Sequence, residues 1–299
     1  VRVFVTGASG FIGRPLCEAL LEAGHAVTAL SRAAPGRWGH SAAIRAVQGD
    51  PAVAGPWLEE LARCDACVNL AGEPIARGRW TPARKRLIES SRVGATGVVA
   101  GLLAARGPRI LVQGSAVGFY GSRGDELLDE TSGPGEDFLA GVTRRWEGAA
   151  APARRRARVV LLRTGLVLAR HGGALPALAR PFRLFAGGPV GSPGAWKPWI
   201  HLDDEVGLIL RALEDEQLDG PLAACAPSPA RNGDLARAIG SALGRPSLLP
   251  VPGFAVRLLL GEMAELVLAS QRVVPRVALA RGHRFRYPDL GAALRDALA

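Results

Sequence analysis

The chain has 299 residues, 48% hydrophobic and 21% charged, a balance that excludes disorder and suits one large or two ordinary globular domains. Its formal net charge is +10, but of 37 basic residues only Lys85 and Lys197 are lysine, so the excess reflects arginine usage. The runs Arg84-Lys85-Arg86 and Arg154-Arg155-Arg156-Ala157-Arg158 accompany no nucleic-acid motif, no apolar run reaches the ~18–20 residues of a membrane span, and neither nucleic acid nor membrane is an expected partner.

Val1–Thr6 is an apolar strand ending at Gly7, and its position leaves no secretory leader expected in this stretch. Arg14–Ala23 has helical periodicity and stops at Gly24. Strands are predicted at Ala26–Leu30, Ile44–Val47 and Ala66–Leu70, with a short helix over Leu58–Arg63. Thr81-Pro82 starts a helix, an N-cap threonine with proline at the first position, and that helix runs to about Arg106. Ile110–Val112 is a fifth strand, Phe138–Ala150 a helix and Val159–Leu162 a sixth strand. This alternation predicts an α/β fold: a Rossmann-type doubly wound parallel sheet with helices on both faces.

After about residue 170 the pattern changes. Gly172-Gly173, Gly187-Gly188-Pro189 and Gly191-Ser192-Pro193-Gly194 mark loops, and Asp203–Glu214, Asn232–Leu243 and Phe254–Ser270 read as helices. The expected organisation is a dinucleotide-binding domain over 1–170, with segments around 200–226 returning to it, and a smaller C-terminal cap over 171–299 that binds substrate. Cys64 and Cys67 have metal-site spacing, but no second pair follows; with Cys17 and Cys225 they are expected to be structural. No metal site is expected. Nothing requires an oxidising compartment, so a cytoplasmic location is expected.

Thr6-Gly7-Ala8-Ser9-Gly10-Phe11-Ile12-Gly13 joins the first strand to the first helix. Gly7 suits the tight turn, Gly10 the approach of a pyrophosphate, and Gly13 close packing of helix on strand. The helix N-terminus offers free N–H groups to phosphate oxygens. Ser9, Phe11 and Ile12 complete the candidate loop.

The Gly-x-x-Gly-x-x-Gly spacing resembles the extended short-chain dehydrogenase/reductase superfamily. Asn69-Leu70-Ala71-Gly72, Arg163-Thr164-Gly165 and Trp199-Ile200-His201-Leu202-Asp203-Asp204 match segments of that superfamily. A narrower resemblance is to the "epimerase family" proteins, a sugar-nucleotide-epimerase-like and cell-division-inhibitor-like subgroup. It rests on Asn69–Ile75, Gly114–Gly121, Pro181–Leu184, Gly187–Ser192 and the terminal Phe285–Leu290, which looks like that subgroup's own C-terminal domain. The resemblance implies dinucleotide contacts from Leu70, Ala71, Gly72, Arg163 and Gly165, and from Asp50 beside the adenine.

NAD-preferring sites carry an acid after the second strand, yet no Asp or Glu occurs between Glu22 and Asp50. The strand ends Leu30-Ser31-Arg32, and a guanidinium pairs bidentately with a 2′-phosphate. NADP(H) is therefore the expected cofactor, with NAD(H) the alternative; Arg37 is a candidate second cation.

The superfamily's acid–base pair is Tyr-x-x-x-Lys. The only tyrosines are Tyr120 and Tyr287, and four residues beyond them stand Gly124 and Gly291. In the matching helix, Phe138 and Val142 occupy the two places. Candidate substitutes are Ser115, where the resemblance implies a carbonyl-polarising serine, then Tyr120, Lys197 and His201. Glu73, Arg77 and Arg79 are candidate cleft residues. The first reading is an NADP(H)-dependent oxidoreductase or epimerase-like enzyme acting on an unidentified small molecule, with a homodimer left open. The alternative is a catalytically weak or inactive NADP(H)-binding sensor or scaffold.

Overall fold

A computed structural model describes residues 1–34 and 41–299; Arg37 lies outside the described residues. Seven strands form the main sheet: β1 (Arg2–Thr6), β2 (Ala26–Ser31), β3 (Arg45–Gln48), β4 (Ala66–Asn69), β5 (Ile110–Ala116), β6 (Arg158–Thr164) and β7 (Gly220–Ala224). Their order is β7-β6-β5-β4-β1-β2-β3, and every pairing is parallel. Val5 sits between Ala29 of β2 and Val68 of β4. The chain winds one way from β1 to β3 and the other way from β4 to β7. The carboxyl ends of β1 and β4 therefore flank the crevice where such sheets bind ligands.

Alternation along β1 shows how the two faces are covered. Val3 and Val5 enter one core, and Phe4, between them, enters the other. The first core is closed by Leu16 and Leu20 of α1 (Gly13–Glu22) and by Leu208 and Ile209 of α6 (Leu202–Glu214). The second is closed by Trp57 and Leu61 of α2 (Trp57–Ala62) and by Val99 and Leu103 of α3 (Pro82–Ala105). The Thr81 hydroxyl accepts from the Arg84 N–H at 3.2 Å, the cap that its place before Pro82 implies. By length and composition α3 is long and apolar enough to cross a membrane. Here it packs on the sheet, with Ile88, Ala95, Val99, Ala100 and Leu103 buried.

α4 (Phe138–Ala149) is capped by Asp137, whose carboxylate accepts from the Ala140 N–H at 2.8 Å. Beyond residue 170 a further core joins α5 (Leu175–Arg183), α7 (Asn232–Leu243) and a terminal helix, Leu290–Leu298, through Phe182, Ile239 and Leu294. The segment expected as one helix over Phe254–Ser270 is broken. Its first piece, α8 (Gly253–Leu260), stops at Gly261, whose φ of +59° no continuing helix allows. A 3-10 turn over Gly261–Ala264 and a short helix at Glu265–Leu268 follow. α5 lies between the glycine loops in a stretch where the sequence marks no element, because Pro176 and Pro181 mask an otherwise amphipathic helix.

Candidate functional site

The glycine turn closes the end of β1 against the end of β4. Gly7 has a φ of +68°, and a Cβ there would stand 2.8 Å from the Leu70 carbonyl carbon. A Cβ on Gly13 would stand 2.2 Å from the Gly7 oxygen, so α1 sits directly on the turn. Gly10 donates its N–H to the Gly7 carbonyl at 2.9 Å, while Ser9 and Gly10 themselves are exposed. The N–H groups of Phe11 and Ile12 meet no acceptor among the described residues. The result is an open cradle of donors at a helix N-terminus, the arrangement that binds phosphate oxygens. From the later half of the chain, Gly172 and Gly173 close over Phe11: a Cβ on either would lie within 2.9 Å of its ring.

Ser31 ends β2 buried, and its oxygen accepts from the Ala33 N–H at 3.1 Å. Arg32 is exposed beside it, and it lies near enough to Glu73 to help lower that carboxyl. The main cause of that lowering is Arg84, 2.8 Å from Glu73 in a largely buried ion pair. Asp50 is exposed and accepts from the Ala52 N–H at 2.9 Å. Leu70, Ala71 and Gly72 leave β4 as a lining fixed from below by Asn69. The Asn69 amide donates to Gln113 at 2.8 Å and to Thr96 at 3.2 Å, and its oxygen contacts the Thr6 hydroxyl. Trp146 of α4 donates to the same Thr96 at 2.9 Å. Beneath Gly72 lies Arg92, a residue that no motif marks; burial takes its guanidinium down to about 10.

At the ends of β5 and β6 a second buried network forms. Ser115 donates to Glu147 of α4 at 2.6 Å. Arg163 holds both oxygens of Glu147, at 2.9 and 3.0 Å, and donates to the Tyr120 hydroxyl at 3.1 Å. Its guanidinium lies 3.5 Å from the centre of the Phe119 ring. Arg163 is 3% exposed and Tyr120 fully buried, and burial pushes the Tyr120 phenol upward against the opposing pull of Arg163. Ser115 and Arg163 thus converge on Glu147, which the sequence does not single out, and Tyr120 joins them through Arg163.

The other proposed residues lie in different surroundings. Gly165 packs backbone to backbone: a Cβ there would meet the Pro198 carbonyl oxygen at 2.8 Å. The Lys197 ammonium donates to the Val267 and Ala269 carbonyls at 2.6 and 2.7 Å, and burial lowers it to about 8. The His201 ring accepts from the Asp203 N–H at the start of α6, approaches Asp296 at 3.2 Å and stacks on Tyr287. Lys197 and His201 thus tie C-terminal segments down. Arg79 donates to the Leu259 carbonyl at 2.9 Å, and Arg77 is exposed.

Phe138 and Val142, at the places of the absent pair, join an apolar cluster with Ile75, Trp80, Met263 and Leu266. Trp80 meets Phe138 edge-on at 5.1 Å. Apolar side chains, completed by the C-terminal segment, occupy the place where a tyrosine hydroxyl would stand, and the Lys85 ammonium lies 4.9 Å from the centre of the Phe138 ring.

The sequence profile of the NAD dependent epimerase/dehydratase family matches residues 3–221, and that of a domain of unknown function, DUF1731, matches residues 251–297. The chain is 42% identical to the Arabidopsis thaliana "Epimerase family protein SDR39U1 homolog, chloroplastic" over 308 residues, covering 99% of this chain and 86% of that one. Among solved structures, human epimerase family protein SDR39U1 (isoform 2) with NADPH matches with a TM-score of 0.89 and 36% identity, over 100% of this chain and 99% of that one. A nucleoside-diphosphate sugar epimerase from Corynebacterium glutamicum matches with a TM-score of 0.80 and 36% identity, over 100% of this chain and 58% of that one. With matches that span it from end to end, the chain belongs to the NAD dependent epimerase/dehydratase family, as an atypical extended short-chain dehydrogenase/reductase with a C-terminal DUF1731 domain.

Proposed function

We propose that this protein binds NADP(H), in preference to NAD(H), across the crevice between β1 and β4, and acts as an oxidoreductase or epimerase-like enzyme on a small molecule. Arg32 carries the reading: an exposed guanidinium stands at the end of β2, where an NAD site would place a carboxylate. The human relative crystallised with NADPH supports it. In this reading the Gly7–Gly13 turn holds the pyrophosphate, Arg32 with Ser31 holds the 2′-phosphate, and Leu70–Gly72 line the crevice. Residues 1–170 with the returning 200–226 segments form the dinucleotide unit, and 171–299 cap the substrate. A cytoplasmic location suits four buried, unpaired cysteines.

When bound, the dinucleotide would supply a hydride donor or acceptor. The chain's own contribution centres on Ser115. Its proton is held by Glu147, which leaves the oxygen lone pairs to accept a hydrogen bond from a substrate hydroxyl. A substrate proton would then move through the Ser115 oxygen toward Glu147. A second reading, a catalytically weak sensor or scaffold, is favoured by the apolar side chains at Phe138 and Val142.

Two measurements test these readings. Calorimetric titration should give at least tenfold tighter binding of NADPH than of NADH; equal affinities would sink the cofactor assignment. A screen of carbonyl compounds and nucleotide sugars, followed by NADPH absorbance, should then find turnover that Ser115→Ala removes. Tight NADPH binding without turnover would select the second reading.

A further inference from the structure

A large apolar face lies outside the site just described. Leu184 and Phe185 follow α5, Leu248 follows α7, and Phe254, Leu258 and Leu259 point outward from α8. Leu258 is 82% exposed, Leu248 76% and Phe254 74%, values unusual for side chains of this size gathered on one surface. The two stretches that carry them are joined by backbone. Leu248 and Leu249 both donate to the Gly187 carbonyl at 3.0 Å, Val251 donates to the Pro189 carbonyl at 2.9 Å, and Gly191 donates back to the Val251 carbonyl at 2.8 Å. Phe254 and Leu258 are four residues apart and share a helix face, while Val256 is turned inward and buried.

Phe185 is held outward at a cost. Its φ of +58° makes it the one non-glycine residue with positive φ among the described residues. That conformation strains a bulky side chain and persists only where the surroundings impose it. Arg245 lies 4.4 Å from the centre of its ring.

The charge around this face is mostly positive, with Glu262 and Glu265 its acidic members. Arg180, Arg183 and Arg245 are exposed and have no carboxylate within ion-pair distance among the described residues. Arg257, between the outward residues of α8, reaches only Glu265 at 3.8 Å. The other nearby carboxylate, Glu262, already holds Lys85. An apolar helix face with arginines at its edge matches a surface that is hydrocarbon inside and anionic outside. A symmetric pair of these chains would instead bring arginine rims together, in a molecule whose net charge is already +10.

We propose that this face docks the protein on an anionic lipid bilayer, with Phe254, Leu258 and Phe185 entering the acyl boundary and Arg180, Arg183 and Arg245 meeting headgroup phosphates. The surface is invisible in sequence because distant segments build it, and neither is a long apolar run.

The test is co-sedimentation of the full chain with vesicles of phosphatidylcholine, alone or mixed equally with phosphatidylglycerol. The expected result is binding to the mixed vesicles, about tenfold weaker in F254E/L258E and severalfold weaker in R180E/R183E or at molar salt. Both variants change exposed side chains, and each is first shown to keep the wild-type Tm and NADPH affinity. Absence of wild-type binding, equal binding to neutral vesicles, or unchanged binding by F254E/L258E overturns the proposal. So does sedimentation velocity showing a wild-type dimer that F254E/L258E splits, which would assign the face to a second copy.

Discussion

Ser115 donates its hydroxyl proton to Glu147 at 2.6 Å, and the same carboxylate is clasped on both oxygens by Arg163. The two side chains of the ion pair are 4% and 8% exposed, so each neutralises a charge that would otherwise be buried alone. Such a pair contributes little net stability compared with a hydrophobic replacement, yet breaking it from one side is expensive. Glu147→Leu is therefore expected to destabilise the protein by about 3–5 kcal/mol, and Arg163→Met by a similar amount. The double variant should cost less than either single change. Urea unfolding of all four proteins measures the coupling; additive losses would show that Arg163 does not depend on Glu147.

Glu205 offers a pH test. It is fully buried in the first turn of α6, one oxygen meets the Thr164 hydroxyl at 2.6 Å, and the other has no partner. Burial pushes its carboxyl up to about 8. The folded state therefore holds a proton that the unfolded chain releases above the ordinary carboxylate range. The stabilisation is complete below the unfolded value, declines by about 1.4 kcal/mol per pH unit above it, and is lost as pH passes about 8. Glu205→Gln removes this dependence. Relative to wild type it should gain stability from pH 5 to about pH 8 and level off above that in urea unfolding; parallel curves would contradict a protonated Glu205.

The glycine turn was legible because its chemistry is local: a strand end, three glycines and a helix start lie within a dozen residues. The caps at Thr81 and Asp137 are local too, although Asp137 stands just before the stretch that periodicity marked. Glu147 was not legible, since its meaning comes from Ser115, 32 residues away, and from Arg163 on another strand. Nothing in Trp146-Glu147 distinguishes it from a surface acid on a helix. Lys197 and His201 stood out as scarce, reactive residue types. What they do is set by the carbonyls of Val267 and Ala269 and by Asp296, which only the folded C-terminal segment brings near. The long helix expected over Phe254–Ser270 missed the weight of one residue, Gly261, in a left-handed conformation.

Two glycine substitutions should have opposite signs. Gly13→Ala places a methyl group 2.2 Å from the Gly7 oxygen, a contact with backbone that only displacement of α1 can relieve. A loss of about 1–3 kcal/mol is expected, with NADPH affinity falling as the phosphate cradle shifts. Gly97 is exposed inside α3, and a Cβ there meets nothing within 4 Å. Gly97→Ala should therefore stabilise by about 0.5–1 kcal/mol through helix propensity and leave NADPH binding unchanged. Thermal unfolding with dinucleotide titration reads both. Equal effects would mean that the turn yields more easily than its geometry implies.

In the proposed reading Arg32 selects the cofactor, and its contribution can be isolated by comparing two ligands that differ in one phosphate. In NADPH the 2′-phosphate presents charge to an exposed guanidinium; in NADH the same position offers only a hydroxyl. A charge-assisted hydrogen bond contributes roughly 1.5–3 kcal/mol, so Arg32→Ala should weaken NADPH binding by about tenfold to a hundredfold. NADH binding should change by less than about threefold. Because the interaction is an exposed ion pair, the NADPH penalty should shrink as salt rises, while the small NADH effect should not. Glu73 gives an internal control. It lies close enough to feel Arg32, but Arg84 holds it directly, so Arg32→Ala leaves its main ion pair intact and the fold undisturbed. An equal loss for both dinucleotides would mean that Arg32 shapes the crevice without reading the phosphate.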